Sequence, residues 1–336
     1  MKTRFLGNTG VRVSELCFGV MTFGGKGYWK NIGQVEQKEA DELVNLAIEN
    51  GINFFDTADV YSEGQSEEIL GKALGNKRKD IILATKVRGR TGVGPNDVGL
   101  SRKHIIDSCN ASLKRLGTDY IDLYQVHSFD PLTPLEETLR VLDDLVREGK
   151  VRYIGVSNYT GWQLMKALAI SEKQNLERFV TLQAFYSLIA RDLENELVPL
   201  SLDQKLGILP WSPLGGGFLT GKYRQGKPRP EGSRRSDPTD QFLRFDEEKG
   251  FAIIDELEKI ALNHSATITQ AALQYLLMKP GVTSVIIGVK NKEQLTDNLK
   301  TVDWEMNLGE VARLDELSKP PRIYPYWMLE RMSQDR

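Results

Sequence analysis

Apolar residues in this chain fall into two alternating rhythms. Short β-type runs occur at Glu15 to Phe18, Asn53 to Phe55, Ile81 to Thr85, Tyr120 to Val126, Val151 to Val156, Val180 to Ala184, Gly207 to Pro210 and Val282 to Ile287. Between them, apolar residues recur at helical spacing, as in Leu135, Leu139, Leu142 and Val146. That spacing predicts helices over Glu36 to Glu49, Ser66 to Leu74, Arg102 to Leu116, Pro134 to Glu148, Trp162 to Ser171, Glu194 to Gln204, Lys249 to Asn263 and Lys292 to Lys300. Strand followed by helix, repeated along nearly the whole chain, predicts a parallel sheet. Eight runs suit a closed (β/α)8 TIM barrel, α/β in class, with a hairpin before it around Asn8 to Gly10 and long loops at its C-terminal face.

No Pro-, Gly- or Ser-rich linker splits this alternation, so residues 1–336 read as one domain. Two segments break the rhythm: Gly221 to Glu247, rich in Pro, Gly, Arg and Asp, and the tail after Lys319. The first exceeds an ordinary βα connection, and insertions of that kind are usually functional lids or mobile segments.

Composition narrows the function classes. The 336 residues include 44 Lys plus Arg against 46 Asp plus Glu, a net charge of −2, with the two signs interspersed. No broad basic surface is therefore expected for nucleic acid or anionic lipid. Cys17 and Cys109 are too few for a disulfide framework, and no Cys/His spacing suggests a structural zinc or other metal site. The N-terminus lacks the apolar core of a signal peptide, and no run reaches the roughly 20 apolar residues a bilayer span needs. The expected compartment is the cytoplasm, and the oligomeric state is not legible.

In a βα barrel, reactive groups gather where strands end and loops converge on one mouth. Here Asp56 and Tyr61 follow the second barrel strand, Lys86 ends the third, His127 the fourth, and Ser157 with Asn158 the fifth; Gln183 lies near the end of the sixth, and Trp211 and Ser212 end the seventh. Singly, a lysine is an ion-pair partner, a histidine a bonded core residue and an aspartate a helix cap. Together they describe a site. A tyrosine hydroxyl is a reluctant acid until a nearby ammonium stabilises its phenolate, a role that fits Lys86 beside Tyr61. A carboxylate, Asp56, keeps such a lysine charged in a dry pocket. A histidine, His127, orients a substrate carbonyl or helps relay a proton. This set suits protonation of the alkoxide that forms when hydride reaches a carbonyl carbon.

None of these groups supplies hydride, so a nicotinamide cofactor is implied. The first βα segment, GVMTFGGKG, lacks the G-x-G-x-x-G spacing of a Rossmann fingerprint. GGFLTGKY from Gly216 approaches a triphosphate-binding loop, but Tyr223 stands where magnesium chemistry wants Ser or Thr. Its amides and Lys222 still suit a pyrophosphate.

Long motifs carry a further resemblance: FFDTADVYSEGQSEEILGKAL at 54–74, ATKV at 84–87, YIDLYQVH at 120–127, GKVRYIGVSNY at 149–159, WSPLGGGFLTGKY at 211–223 and VIIGVKNKEQLTDNL at 285–299. Over nearly its whole length the chain resembles the aldo-keto reductases, closest in motif to their bacterial-type and potassium-channel-β-subunit-like branches. The resemblance implies a catalytic tetrad of Asp56, Tyr61, Lys86 and His127, all intact, and NADPH-dependent reduction of aldehydes or ketones by transfer of the pro-R hydrogen. It implies that Ser157, Asn158 and Gln183 bond the nicotinamide carboxamide, that Tyr186 stacks on its ring, and that Val20, Met21 and Asp56 also face the cofactor. Trp211, Ser212, Pro213, Leu214, Gly217, Leu219 and Lys222 match the pyrophosphate loop, and Gly288, Lys290, Gln294, Asp297 and Asn298 the adenosine end. Lys290 and Arg234 suit the 2′-phosphate of NADPH over NADH, although Gln294 stands where many members have Arg. The substrate, a small carbonyl compound, is expected between Tyr28, Trp29, Tyr61, His127 and Phe129, with Tyr324, Tyr326 and Trp327 in the tail as further candidates. The channel-like branch leaves a second reading open, a cofactor-bound subunit reporting redox state to a partner protein.

Overall fold

A computed structural model describes residues 1–230, 233 and 243–333. The hairpin forms first: β1 (Thr3–Phe5) pairs antiparallel with β2 (Arg12–Ser14). It closes the lower end of the barrel. A side chain at Gly7, whose φ is +57°, would meet the Val180 carbonyl oxygen at 2.1 Å, so only glycine allows the hairpin to dock this closely.

Eight strands follow: β3 (Leu16–Gly19), β4 (Phe54–Asp56), β5 (Ile82–Val87), β6 (Ile121–Val126), β7 (Val151–Ser157), β8 (Phe179–Phe185), β9 (Gly207–Trp211) and β10 (Val285–Gly288). Each pairs in parallel with its neighbours in chain order, and β10 returns to pair with β3. A parallel bridge, Ile208 to Val282, joins the two ends of the sheet into a nearly closed barrel. The TIM-barrel expectation holds.

Around it lie α1 (Gln37–Glu49), α2 (Gln65–Leu74), α3 (Arg102–Leu116), α4 (Leu135–Arg147), α5 (Gly161–Gln174), α6 (Leu197–Asp203), α7 (Glu247–Asn263), α8 (Ile268–Leu277), α9 (Lys292–Leu299), α10 (Leu308–Leu317) and α11 (Tyr326–Ser333). Two departures from the expected pattern have physical causes. α6 is shorter than the predicted span because a 3-10 turn at Asp192–Glu194 precedes it. α8 was absent from the predicted helices: residues Gln270 through Leu277 are all buried, so it carries no polar stripe to reveal a helical period. α10 and α11 were likewise not predicted.

Strand alternation divides the interior into two cores. Leu6, Val13, Phe54, Leu123 and Leu209 fill the lower barrel, while outward residues such as Val87, Tyr124 and Val126 pack under the helices. Above the apolar plug, the inward positions turn polar.

Candidate active site

β4 ends on Asp56, and β5 and β6 place Lys86 and Gln125 in register beside each other. The Lys86 ammonium donates to Asp56 Oδ1 at 2.5 Å, to the Thr57 carbonyl at 2.8 Å and to Tyr61 Oη at 3.3 Å. The other Asp56 oxygen accepts the amides of Gln125 and Gln183, each at 2.9 Å. Lys86 and Gln125 are 0% exposed, Asp56 and Gln183 3%. Burial by itself pulls the ammonium down, but the Asp56 carboxylate and the Tyr61 hydroxyl outweigh it and hold Lys86 above its ordinary pKa. The lysine is therefore a permanent cation. Its desolvation is offset by short charge-assisted bonds on a carboxylate whose remaining oxygen is also satisfied.

Tyr61 reaches this cation through a turn that inverts the backbone. Ser62 and Glu63 adopt φ of 49° and 56°, Gly64 follows at 88°, and α2 begins at Gln65. Ser62 and Ser66 donate from their side chains to the carbonyls of Phe23 and Val20, at 3.0 and 2.7 Å, which pins the turn to the loop after β3. The Tyr61 ring then lies edge-on to Trp29 and His127, with centroids 5.0 and 5.9 Å away. His127 continues β6, its amide bonded to the Val87 carbonyl at 2.9 Å. Burial, then the neighbouring Lys86 and Arg88 cations, lower its pKa to about 3. The imidazole is neutral at ordinary pH.

The expected cofactor residues spread from this centre. The Ser157 hydroxyl, ending β7, is buried without a hydrogen-bond partner among the described residues. Asn158, in a left-handed conformation at φ 55°, bonds the His127 carbonyl through its amide nitrogen at 2.9 Å and accepts from the Trp211 indole at 3.1 Å. Gln183 spends its amide nitrogen within the barrel, on Asp56 and on Gln125 at 3.2 Å. Val20 is buried, its amide bonded to the Asp56 carbonyl at 2.9 Å, and Met21 is half-buried.

One of two aromatic residues near strand ends differs from its expected place. Tyr186 is 1% exposed, and its hydroxyl donates to Glu194 at 2.7 Å, so its ring is closed into the core and offers no stacking face. Trp211 is partly exposed, stacked on Phe185 at 4.8 Å.

After β9 the chain turns at Ser212 (φ 48°) and runs past Pro213 and Leu214 through three positive-φ glycines, Gly215 to Gly217, into a 3-10 turn at Phe218–Thr220 that includes Leu219. A side chain at Gly217 would meet the Lys222 ammonium at 3.0 Å. Tyr223 is buried against Phe218, so its position offers no metal-binding hydroxyl. At the far end, Gly288 is exposed and Lys290 reaches Gln34 at 2.8 Å, while Gln294 accepts the Lys290 amide at 2.8 Å. Asp297 accepts hydrogen bonds from the Thr267 hydroxyl and the Gln270 amide at the start of α8, and Asn298 is buried. Arg234 lies outside the described residues; Arg229 and Glu247 tie the described flanks of the insertion at 3.0 Å.

Of the substrate-pocket candidates, Trp29 meets Tyr61, whose ring in turn meets His127. Phe129 packs against Tyr159 and Trp162, and Tyr28 is 78% exposed. In the tail, the Tyr326 hydroxyl donates to Glu196 at 2.6 Å, and Tyr324 and Trp327 are exposed. Sequence reasoning missed Gln125 and Arg88. Both were detectable: each lies two residues from a chosen residue, His127 and Lys86, hence on the same strand face.

Comparison with known proteins decides what this barrel is. The family model described as Aldo/keto reductase family matches residues 15–319. The chain belongs to that family. Relatives of this aldo/keto reductase include the uncharacterized oxidoreductase YrpG of Bacillus subtilis, 38% identical over 96% of this chain and 97% of the relative. A versiconal hemiacetal acetate reductase of Aspergillus parasiticus is 33% identical over 95% of this chain and 98% of its own. An Arabidopsis thaliana protein named "Probable voltage-gated potassium channel subunit beta" is 36% identical over 97% and 100%. Membership places the chain among oxidoreductases that act on small molecules and generally use a nicotinamide cofactor. No described helix is long and apolar enough to cross a membrane.

Proposed function

We propose that this aldo/keto reductase reduces aldehydes or ketones to alcohols, with NADPH as hydride source and Tyr61 as proton donor. The observation that carries the reading is the Lys86 ammonium held between Asp56 Oδ1 at 2.5 Å and Tyr61 Oη at 3.3 Å, beneath a neutral His127. The residues fit the cofactor: an unpartnered buried hydroxyl at Ser157, a glycine run that brings backbone close to a phosphate, and a partly exposed indole at Trp211. When bound, NADPH supplies the pro-R hydride of its nicotinamide to the carbonyl carbon.

The chain's own groups do the rest. Neutral His127 has a ring nitrogen available as hydrogen-bond donor to the carbonyl oxygen, which fixes the substrate's orientation. Tyr61 gives its proton to the oxygen as negative charge develops there. The phenolate left behind faces the Lys86 cation, so the proton donor becomes stronger as it is used. Asp56 and its two glutamine donors keep that cation in place.

Titration of the purified protein with NADPH and NADH, followed by a panel of aldehydes, ketones and sugars, tests the reading. Tyr61→Phe is expected to keep cofactor affinity and to lose about 10²–10⁴ in turnover. Wild-type turnover in that variant would overturn the proton-donor assignment. The likeness to the named channel subunit favours a second reading, a redox-reporting subunit of a partner protein. Tight NADPH binding with no oxidation across the panel would shift the conclusion to it.

A further inference from the structure

We propose that Arg88 selects carbonyl substrates that carry an anionic oxygen group, a carboxylate or a phosphate, close to the reacting carbon. This rests on the reductase reading above and names the substrate class for the same site.

β5 and β6 run in register, Lys86 beside Gln125 and Val87 beside Val126. Lys86 and Gln125 point into the barrel, whereas Val87 and Val126 pack outward under the helices. The next pair, Arg88 and His127, thus forms the layer directly above the catalytic lysine. The backbone at Arg88 is forced: its φ of 138° lies where non-glycine residues are rare, and the Gly99 amide holds its carbonyl at 3.0 Å. Strain of this kind persists where the surroundings over-determine it, most often at functional sites.

Its side chain is half-buried and unanswered. The Nε is buried without a hydrogen-bond partner, and the guanidinium makes no hydrogen bond or ion pair among the described residues. Other half-buried or buried arginines of this chain do have carboxylates: Arg78 with Asp122, Arg115 with Glu67, Arg191 with Glu194. Asp130, a carboxylate that feels the Arg88 charge, is already occupied by the amides of Leu100 and Leu132 and the Thr133 hydroxyl, and it forms no ion pair with Arg88 among the described residues. The Arg88 charge nonetheless lowers the pKa of both Asp130 and His127. A partly desolvated cation beside a neutral imidazole is costly until an anion arrives. A guanidinium presents a fork of donors that matches a carboxylate or phosphate edge.

The test compares matched pairs with NADPH: succinic semialdehyde against its methyl ester, and glycolaldehyde phosphate against glycolaldehyde. The anionic member of at least one pair is expected to have about tenfold or higher kcat/KM, the size of a charge-assisted contact. The pair that shows it identifies the anion. In Arg88→Gln the ratio should collapse toward one, Arg88→Lys should restore part of it, and Arg90→Gln should leave it unchanged, since Arg90 is spent on the Gly92 and Gly94 carbonyls. A wild-type ratio near one in both pairs overturns the proposal, as does an equal collapse in Arg90→Gln. If no aldehyde is turned over, the reductase reading falls. The inference is then decided by quenching of bound NADPH fluorescence by succinate or glycolaldehyde phosphate: quenching lost in Arg88→Gln sustains it, and quenching unchanged or absent overturns it.

Discussion

The floor of the site and its rim, only one residue layer apart, are built on opposite terms. On the floor, Asp56, Lys86, Gln125 and Gln183 are at most 3% exposed and bonded to one another, so charge is fixed in a dry frame before any substrate arrives. On the rim, Trp29, Arg88, His127 and Trp211 are all partly exposed and held by ring contacts or strained backbone. Polar groups on the floor cannot change without exposing the desolvation cost of their partners. Those on the rim can change while the barrel stays folded. A reaction shared across a family therefore belongs below, and the choice of substrate above.

Lys86→Met breaks this comparison most severely. It strands the Asp56 carboxylate in the barrel, and removing one partner of a buried pair typically costs about 3–5 kcal/mol. Urea unfolding should show that loss together with lost turnover; a cost below that of a rim substitution would refute the division. The pH dependence has a definite sign. Because the folded pKa of Lys86 is raised, its contribution to stability is complete below the ordinary lysine value of about 10.4 and is lost only as pH rises through the higher folded value. At neutral pH it is flat.

The candidate site was largely legible in the sequence because strand alternation and a run of polar residues at strand ends are local signals. Asp56, Tyr61, Lys86 and His127 each follow or end a hydrophobic run, and all four meet within one site. Gln125 escaped because an amide inside YIDLYQV reads as ordinary strand; only the barrel brings it to the oxygen of Asp56 that Lys86 leaves open. Tyr186 and Trp211 show the limit of motif transfer. Both stand near strand ends, but Tyr186 is buried with its hydroxyl bound by Glu194 arriving from the 3-10 turn, a contact with no sequence signature, while Trp211 stays partly exposed. α8 was hidden for the opposite reason, since a helix buried all round has no amphipathic period.

His127 sharpens the boundary between the layers by pH. Its folded pKa of about 3 lies below the ordinary histidine value of about 6.5, so the unfolded chain takes up a proton first. Stability is intact above about pH 6.5 and falls as pH drops toward the folded value. His127→Gln should flatten that slope between about pH 6 and 4, read as the urea midpoint at each pH. An unchanged slope would mean that the imidazole is not held neutral by its burial.

Trp29→Ala tests the rim directly. It removes one edge-on aromatic contact to Tyr61, worth about 0.5–1.5 kcal/mol. KM for aromatic aldehydes should rise several-fold with little change in kcat for small ones. Equal loss of kcat for every aldehyde would make Trp29 a support of Tyr61 rather than a wall of the pocket.

The smallest effect is expected farthest from the chemistry. Lys290 leaves the end of β10 and crosses to Gln34 at 2.8 Å, a neutral acceptor that keeps the chain extended along the cleft edge without cancelling its charge through that bond. The single difference between NADPH and NADH is a 2′-phosphate, and a partly exposed lysine gains only about 1 kcal/mol from such a group because solvent screens it. Lys290→Ala should therefore weaken NADPH about fivefold and leave NADH unchanged, with the gap narrowing as salt is added. Equal losses for the two cofactors would remove Lys290 from the phosphate. Any preference for NADPH would then have to come from elsewhere on the rim, and the rim would be carrying cofactor choice through groups other than Lys290.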